Sequence, residues 1–172
     1  MDNKRYVGKL LQANNFYDIE GISDFTLSYI EKLIFDVVTY VNDSIRLGMI
    51  EQSHDITAEY ELSQEMNDGH NRYFTYIIGD ETTLTRFAEE YSHLEIKDYG
   101  FLTQEAVMDF LNLHNGLFAV MKSMEGTVEL KLLPPKHNDG LYILEEQHSS
   151  IIEIPVIFSF GLIKFVICEK NS

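Results

Sequence analysis

Arg72-Tyr73-Phe74-Thr75-Tyr76-Ile77-Ile78-Gly79-Asp80, running on into Glu81-Thr82-Thr83-Leu84-Thr85-Arg86-Phe87-Ala88-Glu89-Glu90-Tyr91, is where the chain changes its period. Residues 72–78 are rich in the aromatic and β-branched types that suit a pleated strand, and Gly79-Asp80 ends the run. Immediately afterwards Leu84, Phe87, Ala88 and Tyr91 recur at helical intervals, with Asp80 or Thr82 available as the cap. Upstream, residues 56–63 also alternate, and Asn67-Asp68-Gly69 marks a turn, so 56–63 and 72–78 are predicted to form a hairpin. Further upstream, Leu27, Ile30, Ile34, Val37, Val38 and Val41 follow a helical period that opens at Ser23-Asp24 and runs out by Gly48. Residues 1–25 read as an N-terminal extension or leading helix, and 26–170 as one domain.

Downstream, Gln104-Glu105-Ala106-Val107-Met108-Asp109-Phe110-Leu111-Asn112-Leu113-His114-Asn115-Gly116 belongs to a helix predicted from about Thr103 to Ser123. At about 100° per residue, Glu105, Asp109, Asn112 and Gly116 fall in one polar stripe, beside an apolar face of Ala106, Phe110, Leu113 and Leu117. A carboxylate and an amide one turn apart can engage the same partner, and a glycine on the next turn removes a side chain that would hold that partner away. From spacing alone, the stripe reads first as the solvated face of an ordinary amphipathic helix. After Gly126, apolar runs at 127–133, 141–144, 151–154 and 158–168 predict strands, with turns at Pro134-Pro135, around Gln147 to Ser150, and near Gly161. Pro155 is expected at an edge or a strand kink, because it donates nothing to a ladder. The resulting fold class is α+β, an antiparallel-rich sheet with long helices packed on one side.

Composition narrows the chemistry. The 172 residues carry 28 acidic groups against 13 Lys plus Arg, a formal charge of −15 that repels phosphate backbones and argues against a nucleic-acid partner. The apolar run from Ile151 to Val166 is interrupted by Glu153, Pro155, Ser159, Gly161 and Lys164, short of the roughly 18 uninterrupted residues of a membrane span. Met1-Asp2-Asn3-Lys4-Arg5 leads into a polar stretch unlike a signal peptide, which predicts a cytoplasmic protein. Cys168 is the only cysteine, so no intrachain disulfide forms. The six histidines lack ligand spacing, so no metal site is expected, and neither a phosphate-binding glycine loop nor a Gly-x-Ser-x-Gly elbow occurs.

Three stretches in order, Tyr76-Ile77-Ile78-Gly79 with its following helix, Glu105 to Asn112 with Gly116, and Leu130 to Pro135 with the closing Ile154 to Phe165, resemble the chemotaxis phosphatase family of CheX, CheC and FliY. The likeness runs from about Phe25 to Glu169. It implies a sheet crossed by long helices, often paired into a homodimer through sheet edges, and hydrolysis of the aspartyl phosphate on a CheY-type response regulator. By position on the family's Glu-x-x-Asn signature, Asn112 corresponds to the residue that positions the attacking water and Asp109 to the acid that holds the regulator's lysine. Glu105, Gly116 and Asn115 are the expected binding residues beside them. No cofactor is expected on this chain, since Mg²⁺ belongs to the regulator's acidic site. Asp109 is one methylene shorter than the family's glutamate. Three readings therefore stand side by side: the aspartate serves, Glu105 substitutes in part, or the chain is a catalytically inactive CheX-like binding or dimerisation module.

Overall fold

The structure, a computed structural model, describes residues 2–144 and 150–171. It opens with α1 (Asn3–Ala13), a short 3-10 turn (Phe16–Asp18) and α2 (Asp24–Tyr40). Two short strands, β1 (Arg46–Leu47) and β2 (Glu51–Ser53), precede the long hairpin of β3 (Ile56–Asn67) and β4 (Asn71–Ile78). Helices α3 (Glu81–Ser92) and α4 (Phe101–Met124) follow, and the chain closes with β5 (Lys131–Leu132), β6 (Lys136–Leu144), β7 (Ser150–Phe158) and β8 (Gly161–Asn171). The α+β class expected from the sequence is the one observed.

Local chemistry places the boundaries. The Ser23 hydroxyl accepts from the Thr26 amide to start α2, and Asp80 accepts from the Thr83 amide to start α3, each satisfying a donor that the first helical turn leaves unpaired. At the β3–β4 turn, Asp68 accepts from the amides of His70 and Asn71, while Gly69 takes a φ of +89 that a side chain would resist. Helix α4 has 24 residues and so runs about 36 Å, long enough to cross the sheet.

The strands form a single antiparallel sheet in the order β1, β7, β8, β4, β3, β5, with β2 also on β7 and β6 also on β3. All the helices pack against one face. There Leu62, Met66, Ile77, Phe165 and Ile167 from the strands meet Ile30, Leu33, Phe87, Phe110 and Phe118 from the helices in one buried cluster. Each such side chain contributes about 1.5–3 kcal/mol by leaving water. Val7, Leu11 and Phe16 from the leading segment join the same cluster. The opposite face is not bare. A register shift between Ala58 and Tyr60 bends β3, and Ile56 and Ala58 pack with Tyr76, Ile78, Ile151, Val166 and Cys168 in a second, smaller cluster. Burial there raises the Cys168 thiol pKa to about 12, as expected of a packed, unreactive group.

Several strand boundaries differ from those predicted. The run at 127–133 yields only the two residues of β5, and β6 begins at Lys136, directly after Pro134-Pro135. Ile154 to Phe158 continues β7, and β8 starts after the turn at Ser159-Phe160. The turn expected around Gln147 to Ser150 lies, before Ser150, outside the described residues. Pro155 sits within β7, opposite Lys164 of β8. On its other side β1 pairs up to Val156 and β2 resumes at Glu153, so the missing amide faces the gap between two strands. The Pro155 carbonyl accepts from the Gly48 amide at 2.8 Å.

Candidate functional site

The stripe lies on α4 because the opposite side of that helix is taken by the core. Val107, Phe110, Leu111 and Phe118 are at most 1% exposed, which rotates Glu105, Asp109 and Asn112 outward, all exposed. Gly116 completes the row, and a Cβ placed on it would meet nothing among the described residues within 4 Å. A mid-helix glycine costs about 0.5–1 kcal/mol relative to alanine, so the bare position is not explained by crowding within the chain.

Both polar groups of the stripe are tied to the body of the protein. The Tyr91 hydroxyl of α3 donates to Asp109 Oδ2 at 2.7 Å. Burial first, then the bond to this carboxylate, raises the Tyr91 pKa and keeps the hydroxyl a donor. The second tie comes from β3, where Gln64 Nε2 donates to Asn112 Oδ1 at 2.7 Å and to the Leu133 carbonyl at 2.8 Å. Asn112 Nδ2 has no partner among the described residues, and the residue is exposed. Next to Asp109, an open depression is lined by Tyr91, Ser92, Leu94, Leu102, Glu105 and Ala106. Leu102 and Leu94 in its lining are 53% and 55% exposed, and Phe101, next to Leu102 in sequence, is 72% exposed, so apolar surface adjoins the acidic stripe.

Asn115 departs from the role given to it. It is fully buried, because a step of three residues from Asn112 turns it toward β3. Its Oδ1 accepts from the Tyr29 hydroxyl at 2.9 Å, and its Nδ2 donates to Gln64 Oε1 at 2.9 Å and Thr75 Oγ1 at 3.0 Å. With those bonds made inside, it offers nothing to an outside molecule, and its part is structural. His114 is likewise buried. Its Nδ1 donates to Asp36 Oδ2 at 2.7 Å, and Asp36 also pairs with Lys32. Desolvation lowers the His114 pKa in spite of the nearby carboxylate, and its Nε2 has no partner among the described residues.

Gln64 and Tyr91 were not singled out from the sequence as site residues. Gln64 carried a readable signal, since it sits between Leu62 and Met66 on the helix-facing side of β3, a polar residue in an apolar period-2 row. Among the described residues, no three His, Cys, Asp or Glu side chains gather as a metal site, and no helix is long and apolar enough to cross a membrane.

No protein-family model matches the sequence, and no curated protein sequence matches it. Solved structures do resemble the fold. A CheC-like superfamily protein from Shewanella sp. PV-4 superposes with a TM-score of 0.74 at 15% identity, covering 87% of this chain and 99% of that one. The chemotaxis protein CheX from Vibrio vulnificus gives 0.73 at 15%, covering 86% and 100%. The CheX–CheY–BeF3–Mg²⁺ complex from Borrelia burgdorferi gives 0.68 at 16%, covering 86% and 99%. The architecture is therefore the α+β fold of these solved structures. More narrowly, it is the CheX/CheC-like fold, over nearly the full length of those relatives.

Proposed function

We propose that this chain is a CheX-type signalling domain that lays the outer face of α4 against a phosphorylated CheY-type response regulator and hydrolyses its aspartyl phosphate. The observation that carries the reading is an exposed acid and an exposed amide one turn apart, beside a glycine with open space above it, on the core-backed helix of this fold. A similar CheX structure was solved together with CheY, beryllium fluoride and Mg²⁺.

In the proposed reaction, Asp109 binds the regulator's lysine ammonium through the oxygen that Tyr91 leaves free, a charge-assisted contact that sets the register of docking. Asn112 reaches the phosphorylated aspartate and orients a water in line with the scissile bond. The water oxygen bonds to phosphorus, the bond from phosphorus to the aspartyl oxygen breaks, the regulator's carboxylate departs with the electron pair, and the water's two hydrogens leave on the released phosphate. An amide suits the task because it donates and accepts without placing a negative charge beside the phosphoryl group. The exposed Leu94, Phe101 and Leu102 supply apolar contact next to the acid. Mg²⁺ stays with the regulator.

A second reading, docking without hydrolysis, is favoured by one feature: Asp109 is short and is drawn toward α3 by Tyr91. Regulators from the same organism, phosphorylated and mixed with the purified chain, separate the two. Faster phosphate loss that Asn112→Ala abolishes by a hundredfold or more, with binding retained, supports hydrolysis. Binding of the beryllofluoride-activated regulator with no acceleration selects the silent module, and no binding to any regulator overturns both.

A further inference from the structure

We propose that Gln64 is a positioning residue that fixes which way the Asn112 amide faces, so that Asn112 presents its NH₂ outward to an anionic phosphoryl group. This inference rests on the phosphatase reading of the α4 stripe and extends it to a strand residue outside the helix.

Hydrogen-bond logic determines the orientation from two independent ends. The first end is the Leu133 backbone carbonyl, which only accepts, so Gln64 turns its NH₂ toward it at 2.8 Å. The remaining hydrogen of that NH₂ goes to Asn112 at 2.7 Å, which obliges Asn112 to face inward with its oxygen. The second end is Thr75. Its hydroxyl spends its one hydrogen on the Gln64 backbone carbonyl at 2.9 Å, so toward Asn115 it accepts, and Asn115 aims its NH₂ there at 3.0 Å. The same NH₂ reaches the Gln64 side chain at 2.9 Å, which requires an oxygen on that side of Gln64 and leaves its nitrogen for Leu133 and Asn112. The Tyr29 hydroxyl donates to the oxygen of Asn115 at 2.9 Å, as this assignment demands. Tyr29, Gln64, Thr75 and Asn115 are each at most 3% exposed, so water does not compete for the bonds among these four.

The consequence is electrostatic. A phosphoryl group carries its negative charge on oxygens that accept hydrogen bonds and repel lone pairs. With its oxygen held by Gln64, Asn112 meets such a group with donors. Were the amide reversed, it would present a carbonyl to an anion. An exposed asparagine on an ordinary helix face samples both orientations, whereas Gln64 selects one before docking, so the ordering cost is met during folding rather than at the encounter.

The test uses the full chain with Gln64→Met, which keeps the volume and removes both polar atoms. Folding is checked by thermal unfolding. Two readouts follow: steady-state dephosphorylation of the regulator, and the ¹⁵N order parameter of the Asn112 side-chain NH₂. The expected result is a kcat lowered about tenfold, with affinity for the beryllofluoride-activated regulator within about twofold, and an NH₂ group that becomes mobile. In an Asn112→Ala background, Gln64→Met should lower kcat no further, since a positioning residue has nothing left to position. An equal additional loss in that background marks a merely structural role and overturns the proposal. If Gln64→Met does not fold, the wild-type spectrum decides alone: an Asn112 NH₂ as mobile as other exposed asparagine side chains overturns it, and a rigid one supports it. Wild-type chain that leaves every regulator's phosphate untouched while Asn112 is rigid supports the Gln64 clamp and refutes the phosphatase reading beneath it.

Discussion

Glu61 ought to make the fold less stable as pH rises through neutrality. It lies on β3 at 5% exposure, and its Oε2 has no hydrogen-bond partner among the described residues. Its cross-strand neighbours, Ile78 and Asn138, bring no cation, and Lys164, one strand beyond Ile78, has its ammonium on Glu153 at 3.2 Å. Burial pushes the Glu61 carboxyl from 4.5 up to about 7. Between these values the folded state keeps a proton that the unfolded state has released, so stability is whole below about pH 4.5 and is lost as pH climbs through 7. At about 1.4 kcal/mol for each tenfold in proton affinity, the full loss is on the order of 3 kcal/mol. Glu61→Gln removes the titration while keeping the shape. Urea unfolding of both proteins from pH 4.5 to 8 should give a stability difference that grows toward the alkaline end by about 3 kcal/mol in favour of the glutamine variant. The amide's own hydrogen bonding adds an offset without a slope. A difference flat across that range would refute the reasoning, since it would mean that Glu61 ionises in the fold as it does in the unfolded chain.

Gly161→Ala tests the docking of α3 on the β7–β8 turn: the residue has a φ of +148, and an added Cβ would fall 2.3 Å from Thr83 Oγ1. The Thr83 hydroxyl already serves the Asp80 cap, so the expected cost is about 2 kcal/mol in chemical denaturation, and an unchanged midpoint would contradict it. Asn115→Leu strands the Tyr29 hydroxyl and Gln64 Oε1 while leaving Thr75 bonded to the Gln64 carbonyl. Two buried orphans at about 1–3 kcal/mol each give a loss of about 2–6 kcal/mol, read in the same assay, and a loss under 1 kcal/mol would mean that water replaces the amide.

What could be read from the sequence was whatever local periodicity carries. The α2, α3 and α4 helices, the β3–β4 hairpin and the outward stripe of α4 each follow from spacing within one segment together with a cap or turn. The strands β1 and β2 are two and three residues long, too short for any period, and exist because β7 offers them an edge. Pro155 argued for an edge or a kink, and only the pairing shows that its strand is interior while its missing donor faces the gap at Gly48. The expectation of Asn115 as a binding residue beside Asn112 followed nearness in sequence rather than the helix angle, and the angle decides: a step of three residues carries it from the rim into the core. The partners Gln64 and Tyr91 come from other elements, so no reading of α4 alone could supply them.

That dependence on other elements makes the orientation of the site a property of sheet register. Gln64 reaches Asn112 and Asn115 together because it stands on the helix-facing side of β3, opposite Thr75, where α4 crosses the strand. A slip of one residue would turn Gln64 to the other face and bring Ser63 or Glu65 into its place, the first too short to clasp two amides and the second an acceptor where a donor is required. The register is held from both sides, by β4 along Glu61 to Asn67 and by β5 at Met66 and Asn67, where the Leu133 amide also donates to the Glu65 carbonyl at 2.9 Å. The residue that fixes β5 here, Leu133, also supplies the carbonyl that turns Gln64. Two-residue β5 thus adds to a register that β4 and β6 already hold, and the residue after it supplies the carbonyl that directs the amide, which is why so short an element bears on the exposed face of a helix on the far side of Gln64.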